Sequence, residues 1–262
     1  MFLVPDGRMA SNRERRSPMT VTAAQIAHCG SVSALSLGLP ISTAIPVAKG
    51  ILPKAAVVGR TPISAKLKQR LTNDIESITL LSLMRAANTG LEPSRLISEV
   101  LVIGLKLTGK AGSVPVEVIE LIASQRKSGI VFASVRDVPF EGGTREECAF
   151  AVRRAQPGRA GHMPNYQVYT GEWLPAGERQ LEIAGGTIDE LWMSLCSQTI
   201  LGTPEVADLD ARITRHAQIA KLEADVDKLA RDHQRVKNPA QRNELYAKLH
   251  KAKTQLAQLR EV

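Results

Sequence analysis

The chain has 262 residues, 44% of them hydrophobic and 3% aromatic, with a formal net charge of +8. That hydrophobic share excludes a wholly disordered chain, and no apolar run reaches the roughly 18 residues that a membrane-crossing helix needs. Aromatic residues are too sparse for the stacking platform of a single-strand binder, and three widely separated cysteines, Cys29, Cys148 and Cys196, fit neither a disulfide framework nor a zinc site, which predicts a reducing cytoplasm.

Residues 1–35 have mixed composition without a sustained period, and Arg13, Arg15 and Arg16 interrupt their apolar content. They read as a disordered leader, with Met9 and Met19 as alternative starts. Phe2, Leu3 and Val4 are followed at once by Pro5 and Asp6, so no secretory signal is expected. From Leu37 to Pro62, four prolines separate short apolar patches, which suits extended chain laid over a surface.

A mixed α/β domain is expected over 36–202. Thr61-Pro62 supplies a cap and a first-turn proline, and Ile63, Leu67, Leu71, Ile75, Ile78 and Leu81 recur every three or four residues. The spacing predicts an amphipathic helix to about Ala87, stopped at Gly90. Val100 to Leu105 is a short apolar run that predicts a buried strand. Ser113 and Pro115 open a helix through Val116, Ile119 and Ile122, and Ile130 to Ala133 predicts a second strand. Strand, helix and strand in so short a span predict a right-handed βαβ unit with parallel strands. The turn Glu141-Gly142-Gly143-Thr144 leads into Cys148 to Val152, and alternation at Tyr166, Val168 and Thr170 predicts antiparallel additions. Gln180 to Ile183 is a further candidate strand. Thr187-Ile188-Asp189-Glu190 is a capping box that opens a helix bearing Leu191, Trp192 and Leu195, and Thr203-Pro204 is expected to start the next.

A basic helical hairpin is expected over 203–262. Ile219, Leu222, Val226 and Leu229 form one heptad seam, and Leu245, Leu249, Ala252, Leu256 and Leu259 form another. Between them Val236-Lys237-Asn238-Pro239 supplies a loop, a cap and a first-turn proline. Each helix needs an apolar partner and the other is nearest, so the pair folds back antiparallel, resembling a coiled coil. So short a seam is marginal alone; the body, a second copy or another protein must complete it. His233 falls near the seam as a tolerated polar position.

The charge is concentrated at the ends. From Val21 to Ala211 the 18 basic and 18 acidic residues cancel; from Arg212 to Val262 there are 12 basic and 6 acidic, a net of +6; the first 20 residues carry the remaining +2. Clustered cations make a field that attracts acidic or polyanionic partners. Arg231, Arg235, Lys237, Arg242, Lys248, Lys251 and Lys253 are the candidate partner- or phosphate-contacting residues, binding DNA without sequence preference if they bind it at all.

Catalytic signatures are sparse. The five histidines are scattered, and there is no nucleophile elbow, Walker loop, dinucleotide fingerprint or metal-ligand spacing, so neither cofactor nor metal is expected. Gly185-Gly186-Thr187 before a helix reads as a loop and cap rather than an anion cradle. Glu99, Lys106 and Glu76 are the carboxylates and lysine that a divergent metal-dependent nuclease site would need. Seven residues part the glutamate from the lysine, which puts them on opposite faces of a strand.

Leu39-Pro40 with Thr43, Pro53-Lys54, the Ile63 to Ile78 segment, Glu99 to Leu105, Tyr169-Thr170-Gly171-Glu172-Trp173, Leu191-Trp192 and the tail from Lys221-Leu222-Glu223 to Asn243-Glu244-Leu245 occur in an order that resembles a bacterial domain-of-unknown-function family. The likeness covers Leu37 to Leu259, with Pro239-Ala240 as a departure. It implies a companion of large helicases or DNA methyltransferases in phage-defence or restriction-like islands, with no catalytic residues to carry over. The expectation is therefore a non-catalytic accessory subunit, α+β with a C-terminal helical hairpin, that binds such a partner through the hairpin; the DNA phosphate backbone and a second copy of the chain are further candidate partners. A nuclease and a DNA-binding module stand as alternatives.

Overall fold

The computed structural model describes residues 25–58, 62–156 and 164–261. Its centre is a six-stranded mixed sheet with apolar side chains on both faces, and each face is covered by separate elements.

The first 24 residues of the expected leader lie outside the described residues. From Gln25 the leader expectation gives way. Strands β1 (His28–Cys29) and β2 (Val32–Ser33) form a small hairpin, and Ile26, Cys29, Val32, Ala34 and Leu37 are almost fully buried on the sheet. Their small or β-branched side chains fit a close approach. A side chain at Gly104 on the sheet would collide with Cys29. The proline-rich stretch that follows carries a 3-10 turn (Ile41–Thr43) and the short helices α1 (Val47–Gly50) and α2 (Lys54–Val58), with single bridges from Ala44 and Ile51 to the next strand.

The single helix expected to run to Ala87 is instead a short helix and a strand. Helix α3 (Ala65–Asn73) is capped by Ser64, whose Oγ accepts from the Leu67 amide at 3.2 Å; Thr61 lies outside the described residues. Strand β3 (Ile75–Met84) then pairs antiparallel with β4 (Val100–Leu107). The register explains the misleading period. Ile75, Ile78, Leu80 and Leu83 oppose Leu107, Leu105, Ile103 and Leu101 on one face, but the register shifts between Ile75 and Ser77 and again between Leu80 and Ser82. The first bulge inserts one residue, so the same-face step from Ile75 to Ile78 becomes three and imitates a helix, whereas Leu81, next in the expected period, is buried on the opposite face with Cys29. The turn helix α4 (Ala86–Thr89) ends at Gly90, whose φ of 76° needs a glycine.

The expected βαβ unit is present. Helix α5 (Val116–Ser124) connects β4 to β5 (Gly129–Phe140), and the two strands run parallel from Val100↔Gly129 to Lys106↔Val135. The Glu141-Gly142 turn, with φ of 46° and 78°, joins β5 to β6 (Gly143–Ala155). Positive φ at both central residues suits the twist of a tight hairpin. Strands β7 (Tyr166–Thr170) and β8 (Leu174–Pro175) both pair antiparallel with β6, at different levels of one edge.

Residues 180–183 form no strand. Their polar backbone groups are satisfied one by one: the Leu181 amide donates to Leu37 O at 2.8 Å, and Gln198 both accepts from the Glu182 amide and donates to its carbonyl. Helix α6 (Ile188–Leu201) starts on the expected capping box and lays Ile188, Leu191 and Leu195 on the sheet. Thr203-Pro204 does not begin the next helix. The carbonyls of Pro204 and Glu205 accept from Ser194 Oγ at 3.0 Å and Ser197 Oγ at 2.6 Å, which ties this stretch to α6. Helix α7 (Leu209–Arg235) starts only after it, and α8 (Pro239–Glu261) returns along α7 as a hairpin.

Candidate interaction surface on the helical hairpin

The expected seam is the covered face of the hairpin. Ile219, Leu222, Val226, Leu229 and His233 on α7, with Leu245, Leu249 and Leu259 on α8, are half-buried, while Ala252 and Leu256 are buried. Asn238 caps α8 as its spacing to Pro239 suggested, its Oδ1 accepting from the Ala240 amide at 2.9 Å and the Gln241 amide at 3.3 Å. The His233 ring lies 6.1 Å from that of Tyr246, which closes the seam near the loop. Toward the base, Arg260 of α8 bonds Glu223 of α7 at 2.6 Å.

Only the root of the hairpin belongs to the body. Leu209 and Ile213 are each 3% exposed and lie in the cluster that also holds Leu195 and Ile200. Arg154, on β6, bonds Asp210 in the first turn of α7 at 2.8 Å. Beyond this root α8 packs mainly on α7, so the hairpin stands off as an arm.

All seven candidate cations, Arg231, Arg235, Lys237, Arg242, Lys248, Lys251 and Lys253, are exposed, and none has an ion-pair partner among the described residues. The structure does not gather them into one patch. With 3.6 residues per turn, Arg231 and Arg235 fall opposite the seam on α7. Arg242 and Lys253 flank the seam on one side of α8, Lys248 and Lys251 on the other, and Lys237 sits in the loop. The cations ring the arm. From Lys237 onward six basic residues face two acidic ones, so four of the six excess charges belong to the loop and α8.

The residues weighed as a nuclease site are not brought together. Glu99 lies just before β4 and is bonded by Arg85 and by Ser128 Oγ at 2.9 Å; burial tends to raise its pKa, but these bonds outweigh it and leave it lowered. Lys106 lies near the other end of β4, between Asp137 at 2.9 Å and Glu146 at 2.5 Å. Desolvation alone would lower the Lys106 pKa, yet the two carboxylates raise it, and the same contacts with the Ser31 amide hold Glu146 low. Glu76 is exposed at the start of β3. No group of three or more His, Cys, Asp or Glu able to hold a metal occurs among the described residues. The three thiols are free and buried, and burial pushes each up to about 12, far from reactive thiolate.

The motif residues earlier along the chain are structural. Thr43 is buried and donates to Pro40 O at 2.8 Å while accepting from Ser82. Lys54 reaches the carbonyl of Ile75. The Gly171 amide donates to Phe150 O at 2.8 Å, and Trp173 lies under the Arg136 guanidinium at 4.0 Å. Sequence reasoning missed Arg154 and the Lys106 network, because a charge inside a strand run signals no partner until the neighbouring strands are in register.

The fold is a mixed-sheet α+β body carrying a basic C-terminal helical hairpin. The chain belongs to the family described as a domain of unknown function (DUF4391), which its residues 37–256 match. No curated protein and no solved structure matches it. No helix among the described residues is long and apolar enough to cross a membrane.

Proposed function

We propose that this chain is a non-catalytic interaction subunit whose basic arm docks on a larger nucleic-acid-processing protein of the helicase or DNA methyltransferase type. The observation that carries the reading is the arm itself: a rooted hairpin that presents seven unpaired cations around its free length. The body is balanced in net charge, so the net positive charge that steers an acidic surface comes mainly from the arm. Three reduced, buried thiols fit a cytoplasmic setting, and the defence or restriction role follows from the company expected of such subunits.

Affinity purification from the native host tests this, with the tagged full chain beside two variants. One replaces the seven cations by glutamine. The other removes residues 216–262, which keeps Leu209 and Ile213 in the core. A large partner recovered with the full chain and lost with both variants supports the reading; equal recovery with all three overturns it.

The ring of cations also favours a second reading, a non-specific DNA-binding module. Binding of the isolated protein to naked duplex DNA, with a steep salt dependence that the glutamine variant loses, would favour it over protein docking.

A further inference from the structure

A cavity of about 640 Å³ lies at the end of the sheet away from Lys106. Its wall combines the α5–β5 loop (Arg126, Lys127, Ser128), the ends of β6 and β7 (Arg153, Arg154, Tyr166), α6 (Trp192, Met193) and Leu96 before β4. The size falls within the range of small-molecule sites.

Its electrostatics are one-sided. Glu120 is already paired with Arg153 at 2.7 Å, Asp210 with Arg154 at 2.8 Å, and Glu99 with Arg85 and Ser128. Arg126 and Lys127 are exposed and form no direct ion pair among the described residues, although Arg126 is near enough to Glu99 to help hold its carboxyl low. Arg154 is 9% exposed, and its Nη1 has no hydrogen-bond partner among the described residues. That nitrogen is closed to solvent, so Arg154 adds positive charge behind the cavity wall rather than an open donor.

Beside the cations is an apolar, aromatic wall. Trp192 lies so close on the backbone that a Cβ at Gly129 would come within 2.6 Å of its ring, which fixes the indole. Tyr166 is 47% exposed with the Arg153 guanidinium 3.9 Å over its ring, and Leu96 is 84% exposed at the rim. Cations for a phosphate next to a fixed indole for a planar base are the two halves of nucleotide recognition.

We propose that this cavity binds a nucleotide monophosphate unit, its phosphate on Arg126 and Lys127, with the Arg154 charge behind them, and its base against Trp192. The unit comes either from a free mononucleotide or from the phosphorylated end of a strand. This site is separate from the arm and does not depend on it.

Titration calorimetry of the full chain with AMP, adenosine, inorganic phosphate, and a short oligonucleotide with and without a 5′-phosphate tests the assignment. Trp192 fluorescence is followed in parallel in a Trp173→Phe variant, where it is the last of the chain's 2 tryptophans. AMP or the 5′-phosphorylated strand should bind more tightly than phosphate or adenosine and alter Trp192 emission, and which of the two binds better identifies the source. Arg126→Gln with Lys127→Gln, both on exposed side chains, should weaken binding by about tenfold or more. Adenosine binding as well as AMP, unchanged affinity in the double variant, an unresponsive Trp192, or no heat with any probe at millimolar concentration would each overturn it.

Discussion

The body and the arm are stabilised in different ways. In the body, every long strand meets apolar cover on two faces, and Phe132, Phe150, Ile78 and Ile103 have at most 2% of their surface exposed. In the arm, a single seam two side chains wide holds two long helices, and only Ala252 and Leu256 of α8 count as buried. The body holds itself together; the arm leaves most of its surface, the seven cations included, exposed.

Substitutions on the two sides should separate them. The largest effect is expected in the body. Phe132→Ala should cost about 3–5 kcal/mol of global stability, read from a denaturant midpoint; a loss under about 1 kcal/mol would mean that the core tolerates a cavity there. In the arm, Leu256→Ala should cost about 2 kcal/mol, near the lower bound for such changes because the seam is shallow. Here the loss should be local. Amide exchange should accelerate along α8 while β4 and β5 keep their protection, and equal acceleration in the sheet would erase the distinction between the regions.

Acid should act through the body. Glu99, Glu146 and Glu147 all have pKa values lowered from the ordinary 4.5 in the folded chain; hydrogen bonds from Arg136 and Arg145 are the leading cause for Glu147, and for the other two such bonds overcome the effect of burial. The unfolded chain therefore binds more protons than the folded one as pH falls below that value, so stability present above it is lost on acidification. Urea midpoints across this range should fall with pH, less steeply in Glu146→Gln; an identical slope in that variant would remove Glu146 from the account. The smallest effect is expected where both partners are exposed. A double-mutant cycle on Arg260 and Glu223 should give about 0.2–1 kcal/mol, diminished by salt.

Much of this contrast was legible in the residues, for reasons that differ by element. The hairpin could be read because a seam every 3.5 residues, an Asn-Pro start and a regional charge count are all local facts. The β4–α5–β5 unit could be read because a β-branched run, a proline and a glycine mark its ends. The nuclease triad could be weighed only by spacing, and it dissolved once Glu99 and Lys106 were found engaged at opposite ends of one strand. Nothing in the sequence marked the cavity by Trp192, because its residues come from five separate stretches of chain.

The sequence by itself determined where short-range periodicity and capping act: the heptad seams, the capping box at Thr187, the Glu141-Gly142 turn and the charge balance of each region. Tertiary structure decided the rest. It turned 75–84 into a strand, because two bulges let that segment pair with β4 in spite of a helix-like period. It also drew residues 25–35 into the core, because only the assembled sheet offers the apolar face on which Cys29 and Val32 are buried. Hydrogen bonds and burial between segments distant in sequence carry no local signature, and they are what the folded chain adds.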